Sequence, residues 1–174
     1  MRPVTIREVR PDDYASIGEL TVDAYRDTAP SEQLPGAFAP DGHFERVYAP
    51  MLRDVRERAE RVVVYVAEID HSVVGAVTYV PGPGPYAEFD EPDAAGVRHL
   101  AVDPRAQGRG VGAALMDRCL TRARVDGKRR IVLHTQSFMK AARGLYARIG
   151  FVRAPERDFS PAPDVDLEGY VLDL

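Results

Sequence analysis

The spacing of apolar residues changes along the chain, and each change marks an element. Val4, Ile6 and Val9 frame a first strand, and Pro11-Asp12-Asp13 opens a helix that runs to about Arg26 on Tyr14, Ile17, Leu20, Val22, Ala24 and Tyr25. From 27 to 42 the chain is rich in Pro, Gly and Ala without a clean period, which predicts a loop. Phe44, Val47, Tyr48, Met51, Leu52 and Val55 then fall at i, i+3, i+4, i+7, i+8 and i+11, predicting one helix over Phe44–Arg61 with a solvated Arg/Glu face. Arg61–Ile69 and Val73–Val80 are β-rich runs joined at Asp70-His71-Ser72, a hairpin, and Pro81-Gly82-Pro83-Gly84-Pro85 ends the second run. A strand over Val97–Val102 stops at Asp103-Pro104. A helix of about Val111–Val125 aligns Leu115, Cys119 and Ala123, with Met116 and Leu120 beside them. A strand over Ile131–Thr135, a helix from about Met139 to Ile149 ending at Gly150, and strands at Phe151–Arg153 and Glu168–Leu174 complete the chain. No internal repeat is visible.

Strands alternating with helices predict an α/β fold. A length of 174 residues with 45% hydrophobic residues implies a single domain over 1–174. No apolar run approaches the roughly 20 residues of a membrane helix, and the first ten residues hold no apolar signal segment. One cysteine excludes an internal disulfide, and a reducing cytoplasm is the expected compartment. A net charge of −4 argues against nucleic acid as the main partner.

The chemistry concentrates where the strand ending at Val102 meets the helix starting near Val111. Gly108, Gly110 and Gly112 alternate through the connecting loop, and glycine leaves backbone N–H groups uncovered. Exposed amides at a helix start carry partial positive charge and form an anion site. This is no Walker loop, because Gly127-Lys128 is followed by Arg129. Gly108 to Ala113 does satisfy G-x-G-x-x-A, the dinucleotide fingerprint, but the next strand ends in His134-Thr135 and lacks an acidic residue for a ribose.

Gln107-x-x-Gly110-x-Gly112 after Leu100-Ala101-Val102 resembles the acyl-CoA-binding block of the GNAT acetyltransferases, and Ala142-x-x-Leu145-Tyr146-x-x-x-Gly150-Phe151 resembles that family's second block at its usual spacing. The resemblance covers essentially the whole chain. It implies a mixed, mostly antiparallel sheet with helices on both faces, splayed where the donor enters. It also implies an acetyl-CoA-dependent N-acetyltransferase that transfers acetyl to a primary amine of a small molecule or peptide by direct attack in a ternary complex. No metal is expected, and a homodimer is left open.

The resemblance places the donor on Leu100, Ala101 and Val102, on Gln107, Gly108, Arg109, Gly110, Val111, Gly112 and Ala113, and on Met139 and Ala142. The pyrophosphate sits on the loop amides, at about 1.5–3 kcal/mol for each charge-assisted hydrogen bond. The pantetheine arm pairs beside Leu100–Val102, where a backbone N–H stabilises the oxyanion. Tyr146 is the catalytic candidate for protonating the departing thiolate, its alternative being core packing on the Ala142, Leu145, Tyr146, Ile149 stripe.

Two positions depart from the family pattern. Gly96 stands where many relatives carry a strand glutamate as base, and Met139 stands where an Asn often contacts the donor. The base is therefore open among His99, the carboxylates of Glu88, Asp90, Glu91 and Asp93, and water. The same departures keep a non-catalytic acyl-CoA-binding module as the alternative. The acceptor loops are expected at about 27–43 and 81–95. His43, His71, His99 and His134 show no metal-ligand spacing, and Cys119 falls in an apolar stripe rather than a nucleophile site.

Overall fold

The computed structural model describes residues 3–28 and 42–174. Most of the acceptor loop expected at 27–43 lies outside them. Eight strands, β1 (Thr5–Glu8), β2 (Val63–Ile69), β3 (Ser72–Val80), β4 (Ala94–Val102), β5 (Arg130–Thr135), β6 (Val152–Arg153), β7 (Phe159–Ala162) and β8 (Val165–Asp173), accompany helices α1 (Tyr14–Thr28), α2 (Ala49–Arg53), α3 (Val55–Arg61), α4 (Val111–Val125) and α5 (Lys140–Ile149). The sheet order is β1-β2-β3-β4-β5-β8-β6, with β7 hairpinned onto β8, and among these pairs only β4–β5 is parallel.

Alternation along the strands sorts the core onto two faces. Tyr65, Ala67 and Ile69 of β2 pack with Leu115, Met116 and Cys119 of α4 and Tyr146 of α5, while Val66 packs with Ile17 of α1 and Val55 of α3 on the other side. The β2–β3 turn places Asp70 at φ 51 and His71 at φ 62, the paired positive values that match a two-residue hairpin to strand twist.

The single helix expected over Phe44–Arg61 is broken. A wide π turn over Phe44–Tyr48 leads into α2, and Asp54 (φ −78, ψ 66) leaves the helix and caps α3 by accepting the Glu57 N–H at 3.0 Å. The break frees the last carbonyls of α2 for Arg58, which is 1% exposed and donates to Met51 O and Leu52 O at 3.3 Å. The apolar stripe runs through the break unbroken, so periodicity alone does not reveal it. The closing region also holds more strand than expected. β8 starts at Val165 rather than Glu168, and β7 pairs Phe159 with Leu167 and Ala162 with Val165 around a turn with Asp164 at φ 63.

Two irregularities in β4 shape the site. Ala76 pairs with Ala101 and Thr78 with Arg98, so His99 and Leu100 together face Val77, a bulge with His99 at φ 53. On its other edge β4 pairs with β5 only from Ala94↔Arg130 to Val97↔Leu133. Beyond that point β5 stays with β8 through Thr135↔Glu168, while β4 stays with β3 through Val102↔Gly75. The sheet therefore opens between the two strands.

Candidate active site

The opening leads to the glycine loop. Asp103 accepts the Arg105 N–H at 2.8 Å and fixes a 3-10 turn over Pro104–Ala106 that Gln107 closes. Gly108 (φ 74) and Gly110 (φ 79) hold left-handed conformations that other residues adopt at a cost, and a Cβ on either would meet no atom within 4 Å. Gly110 caps α4, whose Ala114 N–H donates to Gly110 O at 3.0 Å. The preceding first-turn amides have no intrahelical acceptor. Gly112 serves packing instead, because a Cβ there would lie 3.1 Å from Leu145 Cδ2, and its absence lets α4 approach α5.

Gln107 and Ala113 are exposed, Arg109 is half-buried, and Val111 buries its side chain in the core, leaving its amide to the loop. This cradle fits the pyrophosphate of acetyl-CoA, and the bared edge of Leu100, Ala101 and Val102 fits an extended arm with amide groups.

A cavity of about 280 Å³ lies at the opening, lined by residues of α1, the Phe44–Tyr48 turn, the splayed strands, α5 and the β7–β8 hairpin. Tyr146, 6% exposed, lines it, its ring 5.8 Å from that of Phe151 and 6.5 Å from that of Tyr170. Burial raises its phenol pKa well above the ordinary value, with a smaller contribution from Cys119. Met139 is the N-cap of α5 and its Sδ accepts the Thr135 hydroxyl at 3.3 Å, while Ala142 lies half-buried one turn before Tyr146. Both line the same cavity.

The candidate bases separate. His99 is 3% exposed in the cavity wall, edge-on to Tyr48 at 6.1 Å, with Nδ1 3.4 Å from Thr78 Oγ1 and Nε2 without a partner. Burial pushes its pKa far below the usual value, and the charges of Arg98 and Arg58 push the same way. The acidic run before β4 does not act as one group. Glu91 pairs with Arg157 and Asp93 lies 3.9 Å from Arg129 at the surface, whereas Glu88 turns into the cavity. Its Oε1 forms an ion pair with Arg98 Nη2 and its Oε2 accepts from His134 Nδ1, each at 2.9 Å. Burial pushes the Glu88 carboxyl up, but the His134 hydrogen bond and the Arg98 charge outweigh it and hold the pKa below the ordinary value.

Sequence reasoning missed Gln136, just beyond β5. It is 9% exposed, lines the cavity, and its Oε1 has no hydrogen-bond partner. A glutamine directly after a strand end was the available signal. Burial lifts the Cys119 thiol to about 12, which leaves it inert at neutral pH. Among the described residues, no cluster of His, Cys, Asp and Glu could hold a metal, and no helix is long and apolar enough to cross a membrane.

Comparison with known proteins matches this geometry to one family. N-acetyltransferase 8B of Homo sapiens is 33% identical over 99 residues, a stretch covering 55% of this chain and 40% of that protein, so the match spans less than half of the curated relative. A GNAT-family acetyltransferase from Staphylococcus aureus superposes with a TM-score of 0.73 at 15% identity, covering 99% of both chains. A GNAT-family acetyltransferase from Brucella melitensis in complex with acetyl-CoA is 25% identical with a TM-score of 0.63, covering 100% of this chain and 90% of that one. Residues 19–151 match the acetyltransferase (GNAT) family profile, and the chain belongs to that family.

Proposed function

We propose that the protein is an N-acetyltransferase that moves an acetyl group from acetyl-CoA to a primary amine of a small molecule or peptide, by direct attack within a ternary complex. What supports this reading is the split between β4 and β5, which leaves a strand edge bare beyond Val97, with the glycine loop and the start of α4 following β4 and a cavity lined by residues of both strands.

Acetyl-CoA supplies an activated thioester; the rest is the work of this chain. The Gly108–Ala113 amides hold the donor's anionic end, and the backbone of Leu100–Val102 holds its arm. A strand N–H at the opening is placed to stabilise developing negative charge on the acetyl oxygen. Tyr146, kept protonated by burial, donates to the departing sulfur. His99, neutral in the wall, is a weak base at best.

The test is free-thiol release from acetyl-CoA across a panel of amines, with acetyl-CoA binding measured by calorimetry. Thiol release that depends on the amine supports the enzyme. Tight binding without release on any amine supports the non-catalytic acyl-CoA-binding alternative.

A further inference from the structure

The cavity is unsuited to a cation. Among its described lining residues, Glu88 is the one carboxylate, and both its oxygens are engaged, Oε1 by Arg98 and Oε2 by His134. His134 Nε2 lies 3.0 Å from Arg157 O, and the side chain is buried against Glu88. Arg98 is anchored as well, donating to Tyr86 O at 3.1 Å. A second arginine, Arg58, is buried nearby at 1% exposure with its guanidinium on the Met51 and Leu52 carbonyls and no carboxylate partner among the described residues. An ammonium ion entering this cavity would lose its water shell and meet two arginine charges and a carboxylate already paired.

Nor does β4 offer a second carboxylate. At Gly96 a Cβ would lie 2.7 Å from Phe89 Cε1 and 3.4 Å from Val80 Cβ, so the space of a strand side chain is filled by a phenyl ring. What the wall does offer is neutral: the unpartnered Gln136 Oε1 and the unpartnered His99 Nε2, both buried. Around them the lining is aromatic and aliphatic, with Tyr25, Phe44, Tyr48, Leu100, Val165 and Leu167. A buried acceptor without a donor is costly, and a ligand N–H that reaches it removes that cost.

We infer that the acceptor is an uncharged, weakly basic primary amine on an apolar body, an aromatic amine being the type. This rests on the N-acetyltransferase reading and narrows it to a substrate class. It also accounts for the missing strand glutamate, since a neutral amine has no proton to lose before it attacks. The nitrogen lone pair forms the C–N bond and the C–S bond breaks. The nitrogen then releases one proton to water, and the sulfur takes one from Tyr146, which is reprotonated from water. No net proton is produced, whereas an ammonium acceptor would release one.

The experiment uses two isomers, 4-methylaniline and benzylamine, the first uncharged and the second an ammonium at neutral pH. Thiol release from acetyl-CoA is followed at pH 7.5, and each kcat/KM is divided by the uncatalysed rate of the same amine. The expected result is at least a hundredfold preference for 4-methylaniline, with its kcat/KM flat between pH 6.5 and 9. Equal or greater normalised activity on benzylamine overturns the inference.

Arg98→Met supplies the second arm, with acetyl-CoA binding by calorimetry as its check on folding. Freed from Arg98, Glu88 should shift the preference toward benzylamine by at least tenfold, and an unchanged ratio overturns the charge argument. Turnover of a polyamine or a peptide amine with neither isomer accepted overturns the inference and leaves the N-acetyltransferase reading intact. No thiol release with any amine, from a protein that binds acetyl-CoA, overturns both.

Discussion

Phe89 and Gly96 share one space: a methyl group on Gly96 would lie 2.7 Å from Cε1 of the Phe89 ring. Gly96→Ala should therefore destabilise the fold by about 1–3 kcal/mol through overpacking. In a Phe89→Ala background, which itself costs about 3–5 kcal/mol, the same substitution should cost close to nothing. Urea denaturation of the four proteins of this cycle checks the coupling. Additive effects would show that the ring and the glycine are independent.

The glycines of the loop should fail in different ways. Gly110→Val forces a β-branched side chain to φ 79 in open space, so it should weaken acetyl-CoA binding at least tenfold through a distorted cradle, with a small change in melting temperature. Gly112→Val presses on Leu145 and should lower the melting temperature as well as the affinity. Calorimetric titration and thermal melts of both variants separate the two effects.

Tyr146→Phe should leave acetyl-CoA affinity within a few fold and reduce turnover by the ~10²–10⁴ typical of general acid catalysis. Because burial raises the phenol pKa, Tyr146 stays protonated through the alkaline range in which most assays run, and it should contribute no alkaline fall in rate below about pH 10. Steady-state kinetics at saturating substrates tests both. Unchanged turnover would reduce Tyr146 to a packing residue against Phe151 and Tyr170.

His99 makes the fold sensitive to acid. Its folded pKa lies well below the value of about 6.5 of an exposed histidine, so below that pH the unfolded chain binds more protons than the native one. Its stabilising contribution is full above pH 6.5 and is lost as the pH falls toward the folded pKa, with a limiting slope of about 1.4 kcal/mol per pH unit. Urea midpoints measured between pH 7 and 5 should fall less steeply in His99→Gln than in the wild type.

Much of the fold was legible because its elements carry local signals. The hairpin at Asp70-His71, the glycine loop and the stop at Gly150 each announce a backbone conformation that few residues tolerate. The break at Asp54 was hidden because its cause is tertiary: the carbonyls it releases matter only once Arg58 is buried against them. β7 was hidden by Pro161, a residue that belongs at sheet edges and argues against a strand when read in sequence. At the candidate site, the motifs pointed to Tyr146 and the glycine loop, and the structure sets Tyr146 in the cavity wall and Gly108 and Gly110 at positive φ. The engagement of Glu88 was not legible, because Arg98 and His134 come from different strands and meet it only in the folded chain.

The placement of bare backbone in this sheet has a consequence for how the protein avoids its own kind. The outer strands β1, β6 and β7 are four, two and four residues long, Arg7 on β1 is tied to Asp13 and Glu68, and β7 carries Pro161, so these edges offer little to a foreign strand. The stretch of β4 beyond Val97, by contrast, is left unpaired by β5 in the interior of the sheet, with α4 packed against one face. A second polypeptide pairing there would have to bring its side chains against that helix. Hydrogen-bonding groups that would invite aggregation at a rim are thus kept away from it.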